Sequence, residues 1–276
     1  MQKSEYLKAL GKGLIVGGTM TVPGVSGGTM AMLLGIYDRL IGAVSGLFRN
    51  FLDNVMFLGC FLAGGILGIM CFAGTVLVLL ERYPMPLSYF FLGAVAGGVP
   101  FMVKKAQIRT FSPGVLLWPL AGVGVIIGIS ALPEGLFSTG GAGGIQTVLL
   151  QLLCGIFLAV ALILPGISAS HMLLLLGIYE EIMASVAGMH FLSLLPLVMG
   201  VGLGVLLTAR LLETAMLRYP RPAYLMILGF VLASLAELAP GIPKWKEDGM
   251  GGMPVVCAFA LAAGFLLLYG FSRRES

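Results

Sequence analysis

Two short polar segments interrupt long apolar stretches, and each follows a Pro-Gly pair. We call them the first tip and the second tip; their residues are Ser26, Gly27, Gly28 and Thr29, and Ser168, Ala169, Ser170 and His171. Because Pro-Gly stops one helix, each tip is expected to begin another, whose first N–H groups lack partners within the helix. Such N–H groups and the nearby hydroxyls can bind an anion. The alternative is that these residues only cap helices at a structural kink.

Arg210 is the candidate cation for the same site. It lies eight residues before Arg218, which places it about 12 Å inside the end of an apolar helix. A charged side chain at that depth is costly and is usually functional, and a guanidinium suits a phosphate group. Glu213 follows on the same helix face, so a structural ion pair with Arg210 is the alternative.

Four titratable residues near the tips are candidates for proton exchange: Asp38, Glu180, Glu181 and His171. Histidine titrates near neutral pH. The three carboxylates are predicted to end the helices that begin at the tips, where simple contact with water is the alternative. No metal-binding or cofactor-binding pattern is present, so neither a metal nor a cofactor is expected.

One catalytic pattern occurs in the first tip. Residues 24–28 fit G-x-S-x-G, the motif of a hydrolase nucleophile. That motif requires a turn from a strand into a helix, together with Asp and His partners. Here it lies between apolar segments that are predicted to be helical, so we do not expect an enzyme.

The rest of the chain has the composition of a membrane protein. Of its 276 residues, 59% are hydrophobic and 10% are charged, whereas soluble proteins carry about 25% charged residues. We predict an all-α polytopic membrane protein, because helices satisfy their own backbone hydrogen bonds in lipid. The basic residues lie in loops between apolar segments, so no nucleic-acid partner is expected.

Glycine is abundant, with 41 residues. Its small size allows membrane helices to approach closely. We therefore predict helix contacts at the pairs spaced four residues apart, which are Gly13/Gly17, Gly124/Gly128 and Gly200/Gly204.

The tips belong to a longer internal repeat. At a shift of 142 positions, 9 of the 18 residues in 23–40 recur in 165–182, and at a shift of 136 the Arg-Tyr-Pro at 82–84 recurs at 218–220. We predict two halves, 1–140 and 141–276, joined by the Gly-rich loop 138–144. Each half is expected to hold a broken, re-entrant helical hairpin followed by three transmembrane helices, which would give two inverted-topology repeats. In membrane proteins, paired broken helices of this kind indicate a transport site.

The apolar segments give the predicted boundaries. In the first half they are the hairpin 7–47, made of 7–22 and 27–47, and the helices 54–80, 86–103 and 114–132. In the second half they are the hairpin 145–188, made of 145–164 and 168–188, and the helices 192–217, 222–239 and 254–271. Segment 145–164 is long enough to cross the membrane, so the second hairpin could span or re-enter.

Basic residues predict the orientation. With the N-terminus in the cytoplasm, twelve basic residues in loops and at the chain ends face inside and three face outside, namely Arg82, Lys244 and Lys246. Positive residues concentrate on the cytoplasmic side of membrane proteins. We therefore expect a multi-pass protein with both termini in the cytoplasm.

These residues resemble a bacterial family of polyprenyl-phosphate (undecaprenyl-phosphate) transporters that was formerly a domain of unknown function. The resemblance covers essentially the whole chain and is most specific at 22–29, 34–37 and 164–168. The family usually has Gly-Ser and an aromatic residue after the second serine, where this chain has Ala169, Ser170 and His171. The resemblance implies a flippase that recycles undecaprenyl phosphate, the lipid carrier of cell-wall biogenesis, across the cytoplasmic (inner) membrane.

Our hypothesis is thus a transporter that binds a phosphate headgroup between the two tips, aided by Arg210, while the prenyl tail stays in lipid. Its partners would be the polyprenyl phosphate and the phospholipid bilayer, and an oligomer is compatible with the sequence. The leading alternative is a channel or secondary transporter for a small inorganic anion. A membrane-embedded lipid enzyme is a third interpretation, but it would need a cluster of acidic metal ligands, and the sequence shows no such pattern.

Overall fold

The computed structural model describes residues 3–22, 25–108, 113–137, 144–239 and 253–275, and within these ranges all regular structure is helical. The all-α prediction is confirmed. Five of the described helices are long and apolar enough to cross a membrane. Several residues on which the sequence analysis depends lie outside the described ranges. They are Pro23 and Gly24 of the first Pro-Gly pair, Arg109, which is one of the twelve basic residues expected to face inside, Lys244, Lys246 and loop residues 138–143.

The helices of the two halves correspond in order. The first half contains α1 (Lys3–Thr19), α2 (Gly27–Leu33), α3 (Tyr37–Ser45), α4 (Phe51–Arg82), α5 (Pro84–Lys105) and α6 (Gly114–Ser130). The second half contains α7 (Ile145–Ile163), α8 (Ala169–Leu176), α9 (Tyr179–Ala187), a 3-10 turn (Phe191–Leu194), α10 (Leu195–Arg218), α11 (Pro220–Leu238) and α12 (Met253–Glu275).

Each half contains one break that the sequence analysis did not predict. The segments 27–47 and 168–188 were expected to be single helices, but each is two short helices. The breaks lie at Gly35 and Gly177, whose φ angles of +66° and +76° are left-handed. After each glycine, the next amide donates to the carbonyl five residues earlier, at 3.0 and 3.2 Å. This is a Schellman helix end, which glycine adopts without strain.

Four helix pairs form the body of the protein. α1 packs against α4 and α7 against α10, while α5 packs against α12 and α6 against α11. The α1–α4 pair lies within the first half and the α7–α10 pair within the second, whereas the other two pairs join the halves. α7 and α10 are the repeat counterparts of α1 and α4, and α11 and α12 are those of α5 and α6. The packing therefore has the same duplicated pattern as the sequence.

Glycines allow these pairs to approach closely. A Cβ atom on Gly17 would lie 2.0 Å from the Gly65 carbonyl oxygen of α4, and one on Gly200 would lie 2.1 Å from the Leu152 carbonyl oxygen of α7. Any side chain at these positions would separate the helices. The predicted contact at Gly124 and Gly128 is wrong, since no described atom lies within 4 Å of a Cβ built at either position.

The short helices next to the first tip are buried inside this body, whereas the long helices expose apolar side chains. The α2 residues Met30, Met32 and Leu33 are at most 1% exposed. On the outer surface, in contrast, Met70 and Leu211 are 74% and 73% exposed. An apolar exterior is stable in lipid, because lipid tails are as apolar as leucine. The centre of the protein is thus formed by the segments that carry the repeated motif.

Candidate functional site

The two tips meet at one cavity of about 290 Å³, which we call the tip cavity. Most of both tips lines it: Ser26, Gly27 and Gly28 from the first, and Ser168, Ala169 and Ser170 from the second. α2 begins directly after Ser26 and α8 directly after Ser168. The first N–H groups of these two helices therefore lie at the same cavity, although the tips are 142 residues apart in the chain.

The hairpins also touch each other directly. The Thr29 hydroxyl accepts a hydrogen bond from the Gly166 N–H at 3.0 Å, and Thr29 is only 1% exposed. A Cβ atom on Gly28 would lie 3.3 Å from the backbone of Pro165. Thr29 was predicted to bind a ligand, but its hydroxyl is used to hold the two hairpins together, and the residue does not line the tip cavity.

Gly166 must be glycine for two reasons. Its φ of +86° is left-handed, and a Cβ atom there would lie 2.2 Å from the carbonyl oxygen of Phe230. The second Pro-Gly break is therefore seated against α11. A larger residue would force the hairpin away from that helix, and the cavity wall would move with it.

Tyr37 provides a second contact between the hairpins, which the sequence analysis missed. Its hydroxyl donates to the carbonyl oxygen of Ile163 at 2.7 Å, and the residue is 3% exposed. Ile163 is the last residue of α7, and carbonyls at a helix end lack a partner within the helix. The signal in the sequence was the repeated Leu-Gly-Ile-Tyr, which contains this tyrosine.

The tip cavity offers neutral hydrogen-bond donors. The Ser26 side chain makes no capping hydrogen bond, and the Ser168 hydroxyl makes only a long one, accepting from the His171 N–H at 3.5 Å. None of the described residues that line this cavity is charged. An anion bound here would be held by hydroxyls and backbone N–H groups.

One side of the tip cavity reaches the outer surface of the protein. Met20 and Leu162 line the cavity and are also 47% and 42% exposed. Both side chains are apolar. The cavity therefore has a polar end at the tips and an apolar edge at the protein surface.

Two of the predicted site residues lie elsewhere. His171 does not line the tip cavity, and its Nε2 atom is buried with no hydrogen-bond partner among the described residues. Arg210 lines a second cavity of about 230 Å³. Its Nε donates to the Ser45 carbonyl oxygen at 3.4 Å, because the free carbonyls at the end of α3 attract a cation. Arg210 is therefore not among the described residues that line the tip cavity.

The three predicted carboxylates also occupy positions that differ from the expectation. Asp38, Glu180 and Glu181 begin α3 and α9 instead of ending the preceding helices, because the breaks at Gly35 and Gly177 come first. Asp38 forms an ion pair with Lys105 and accepts a hydrogen bond from the Tyr224 hydroxyl at 3.0 Å. None of the three lines the tip cavity.

Known proteins resemble the chain over most of its length. Residues 16–250 match the undecaprenyl phosphate translocase-like family. A polyprenyl-phosphate transporter of Staphylococcus aureus is 32% identical over 253 residues, which cover 88% of this chain and 89% of that protein. One of Vibrio cholerae is 31% identical over 259 residues, which cover 88% and 79%. No solved structure matches the chain. The resemblance seen in the sequence is confirmed, and the chain belongs to the undecaprenyl phosphate translocase-like family.

Proposed function

We propose that this protein translocates undecaprenyl phosphate across the bacterial cytoplasmic membrane, with the phosphate bound between the two tips. Two relatives are named polyprenyl-phosphate transporters, which supports a transport role and not an enzymatic one. The observation that carries the proposal is the tip cavity, which joins both Pro-interrupted hairpins and has an apolar edge on the lipid-facing surface.

The cavity matches the two chemical parts of such a lipid. Moving a phosphate charge through hydrocarbon without help costs many kcal/mol, and hydrogen-bond donors reduce that cost. The hydroxyls of Ser26, Ser168 and Ser170 and the backbone N–H groups of the tips would supply the donors. The prenyl tail would leave the cavity past Met20 and Leu162 and stay in lipid.

The duplicated packing supports a two-half organisation, with halves 1–140 and 141–276. We propose that the halves are inverted repeats with re-entrant hairpins and that both termini are cytoplasmic. α7 is long enough to span the membrane, whereas α1, with 17 residues, is shorter. Inverted repeats of this kind alternate access by moving one part against the other around a fixed central site. The contacts at Thr29 and Tyr37 would set the closed arrangement of the tips.

The apolar edge of the tip cavity favours a lipid over a small inorganic anion. A pathway for an ion would be lined by polar groups along its whole length, since an ion requires continuous solvation. Here the polar groups are concentrated at the tips, and the remaining wall is apolar apart from Tyr37, whose hydroxyl is bonded to the Ile163 carbonyl oxygen.

A reconstituted assay tests the proposal. Liposomes with the protein would carry undecaprenyl phosphate, and its exposure on one leaflet would be measured with an added membrane-impermeant phosphatase. We expect Ser26→Ala/Ser168→Ala to slow flipping about 30-fold, since each lost hydrogen bond contributes about 1 kcal/mol. Ser193→Ala, which alters an exposed serine in the 3-10 turn, is the matched control.

The same liposomes separate the alternatives. Flux of chloride or inorganic phosphate without lipid flipping would support the small-anion transporter. Normal flipping by the double serine variant would mean that the phosphate binds elsewhere. A pH gradient across the membrane tests proton coupling, for which Asp38, Glu180, Glu181 and His171 are the candidates.

A further inference from the structure

A second cavity, which we call the arginine cavity, lies at the end of α3 that is far from the tips. Its lining residues are Ser45, Phe48, Arg49, Arg210, Glu213 and Thr214. Arg210 uses its Nε on the Ser45 carbonyl oxygen, so the two terminal nitrogens of the guanidinium remain for a ligand. Glu213 accepts a hydrogen bond from the Ser45 hydroxyl, so its carboxylate is turned toward α3.

The charge of the arginine cavity complements that of the tip cavity. Two guanidinium groups and one carboxylate line it, whereas the described lining of the tip cavity is uncharged. Guanidinium groups bind phosphate through paired, charge-assisted hydrogen bonds. Of these two cavities, the arginine cavity would therefore offer cations to a phosphate monoester, whereas the described lining of the tip cavity would offer neutral donors.

The two cavities are close together along one helix. Ile41 lines the tip cavity, and Ser45, four residues later on α3, lines the arginine cavity. Four residues of helix correspond to a rise of about 6 Å. A phosphate headgroup could therefore pass from the arginine cavity to the tip cavity by moving a short distance along α3.

The surroundings of the arginine cavity are apolar and exposed. Phe48 is 68% exposed, and the α10 residues Leu207 and Leu211 on either side of Arg210 are 53% and 73% exposed. Apolar side chains that remain exposed on a membrane protein face lipid tails. A ligand with a phosphate head and an apolar tail fits this combination better than a free ion does.

We propose that Arg49 and Arg210 form a docking site for the phosphate monoester headgroup of a polyprenyl lipid, next to the tip cavity but separate from it. The proposal rests on the lipid transport proposed above. Phe191 and Gly74 stand at the repeat positions that correspond to Arg49 and Arg210, so the second half has no equivalent pair. The docking site therefore serves one membrane face only, and in the orientation proposed above this face is cytoplasmic.

Photo-crosslinking tests the site directly. The probe is farnesyl phosphate with a diazirine in the isoprenoid unit next to the phosphate, added to the full-length protein in nanodiscs of zwitterionic lipid. Labelled peptides would be mapped by mass spectrometry. We expect labelling of residues 45–52 and 207–214 in the wild type, and about a tenfold decrease in Arg49→Ala/Arg210→Ala, as expected for lost charge-assisted hydrogen bonds.

Control variants separate a specific site from general charge and from misfolding. Arg218→Ala removes a positive charge further along the same helix and should label like the wild type. Arg49→Lys/Arg210→Lys retains both charges and should recover part of the labelling. Glu213→Gln keeps an oxygen for the Ser45 hydroxyl but removes the negative charge, so its labelling should increase.

The outcomes that overturn the docking site are distinct from those that overturn transport. Unchanged labelling in Arg49→Ala/Arg210→Ala, or equal labelling by diazirine farnesol, refutes the docking site even if the wild type flips undecaprenyl phosphate. Labelling that is abolished by an equal concentration of inorganic phosphate would assign the cavity to free phosphate and refute a lipid site. Specific labelling in a protein that does not flip undecaprenyl phosphate would support the docking site and refute the proposed function.

Discussion

Replacing Tyr37 by phenylalanine would remove one hydroxyl from the centre of the protein and leave the ring in place. That hydroxyl donates to the Ile163 carbonyl oxygen at 2.7 Å from a residue that is 3% exposed. The bond joins the first turn of α3 to the last turn of α7, across the two halves. The repeat counterpart, Tyr179, is half-buried, and its hydroxyl makes no hydrogen bond within the described part of the chain.

The size of the effect depends on whether another donor can replace the hydroxyl. Hydrogen bonds between membrane helices contribute about 0.6 kcal/mol on average, because broken ones often find new partners. A buried acceptor left without a donor costs about 1–3 kcal/mol. Tyr37 is almost fully buried, so water does not have ready access. We therefore expect Tyr37→Phe to lower the free energy of unfolding by about 1–3 kcal/mol, and Tyr179→Phe to change it by less than about 0.5 kcal/mol.

Both variants and the wild type would be unfolded reversibly with SDS in the same mixed micelles, and helix content would be followed by circular dichroism. The flipping rate of each variant would be measured in liposomes at a temperature where all three proteins are folded. Equal effects of the two substitutions on the free energy of unfolding would refute our reasoning, because the two tyrosines would then be equivalent. A more stable Tyr37→Phe variant would show that the contact between the hairpins is strained.

Two other comparisons use glycines of contrasting surroundings. Gly166 and Gly135 have φ angles of +86° and +83°, but only Gly166 would place a Cβ atom against the Phe230 carbonyl oxygen. Gly135→Ala should lower the stability by about 1–2 kcal/mol from backbone strain alone. Gly166→Ala should lower it clearly more, as measured by thermal unfolding. Equal losses would mean that the contact with α11 is unimportant. Gly17→Leu should abolish the close contact of α1 with α4, so no monodisperse protein should elute from a size-exclusion column. Gly74→Leu lies at a position with no neighbour within 4 Å and should leave the elution profile unchanged. Aggregation of both variants would contradict this.

The sequence was sufficient to predict the all-helical class and the positions of the long helices, because the relevant signals are local. Apolar segments of membrane length end at charged or Pro-containing corners, so the long helices could be located. The repeated Pro-Gly-x-Ser indicated where two hairpins are interrupted, and residues 26–28 and 168–170, which follow each Pro-Gly, line the tip cavity. The pattern was informative because it occurs twice at matched positions.

The remaining features depend on backbone conformation and on which neighbour a side chain faces, and a linear sequence pattern contains neither. The break at Gly35 was missed because hydropathy does not change there and only the backbone conformation does. Arg210 was placed at the correct depth in its helix, but depth says nothing about which neighbour the side chain faces. Thr29 was expected to face a ligand, yet its hydroxyl meets the amide of Gly166, which is 137 residues further along the chain. Such contacts follow from how the halves are docked.

The two halves are alike in their apolar packing and unlike in their polar contacts. On α3, Asp38 binds Lys105 of α5 within the first half and Tyr224 of α11 in the second half, and Ser45 binds two side chains of α10. The second hairpin is tied to the first half through the backbone, because the N–H groups of residues 135–137 donate to the carbonyls of residues 174–176 at the end of α8. On its counterpart α9, Glu181 accepts a hydrogen bond from Gln151 of the same half, and α9 makes no contact with α4 comparable to that of α3 with α10 among the described helices. The first hairpin is thus held to the second half by side chains of α3, and the second hairpin is held to the first half by backbone hydrogen bonds at the end of α8. A duplicated sequence has therefore produced two hairpins that are anchored in different ways.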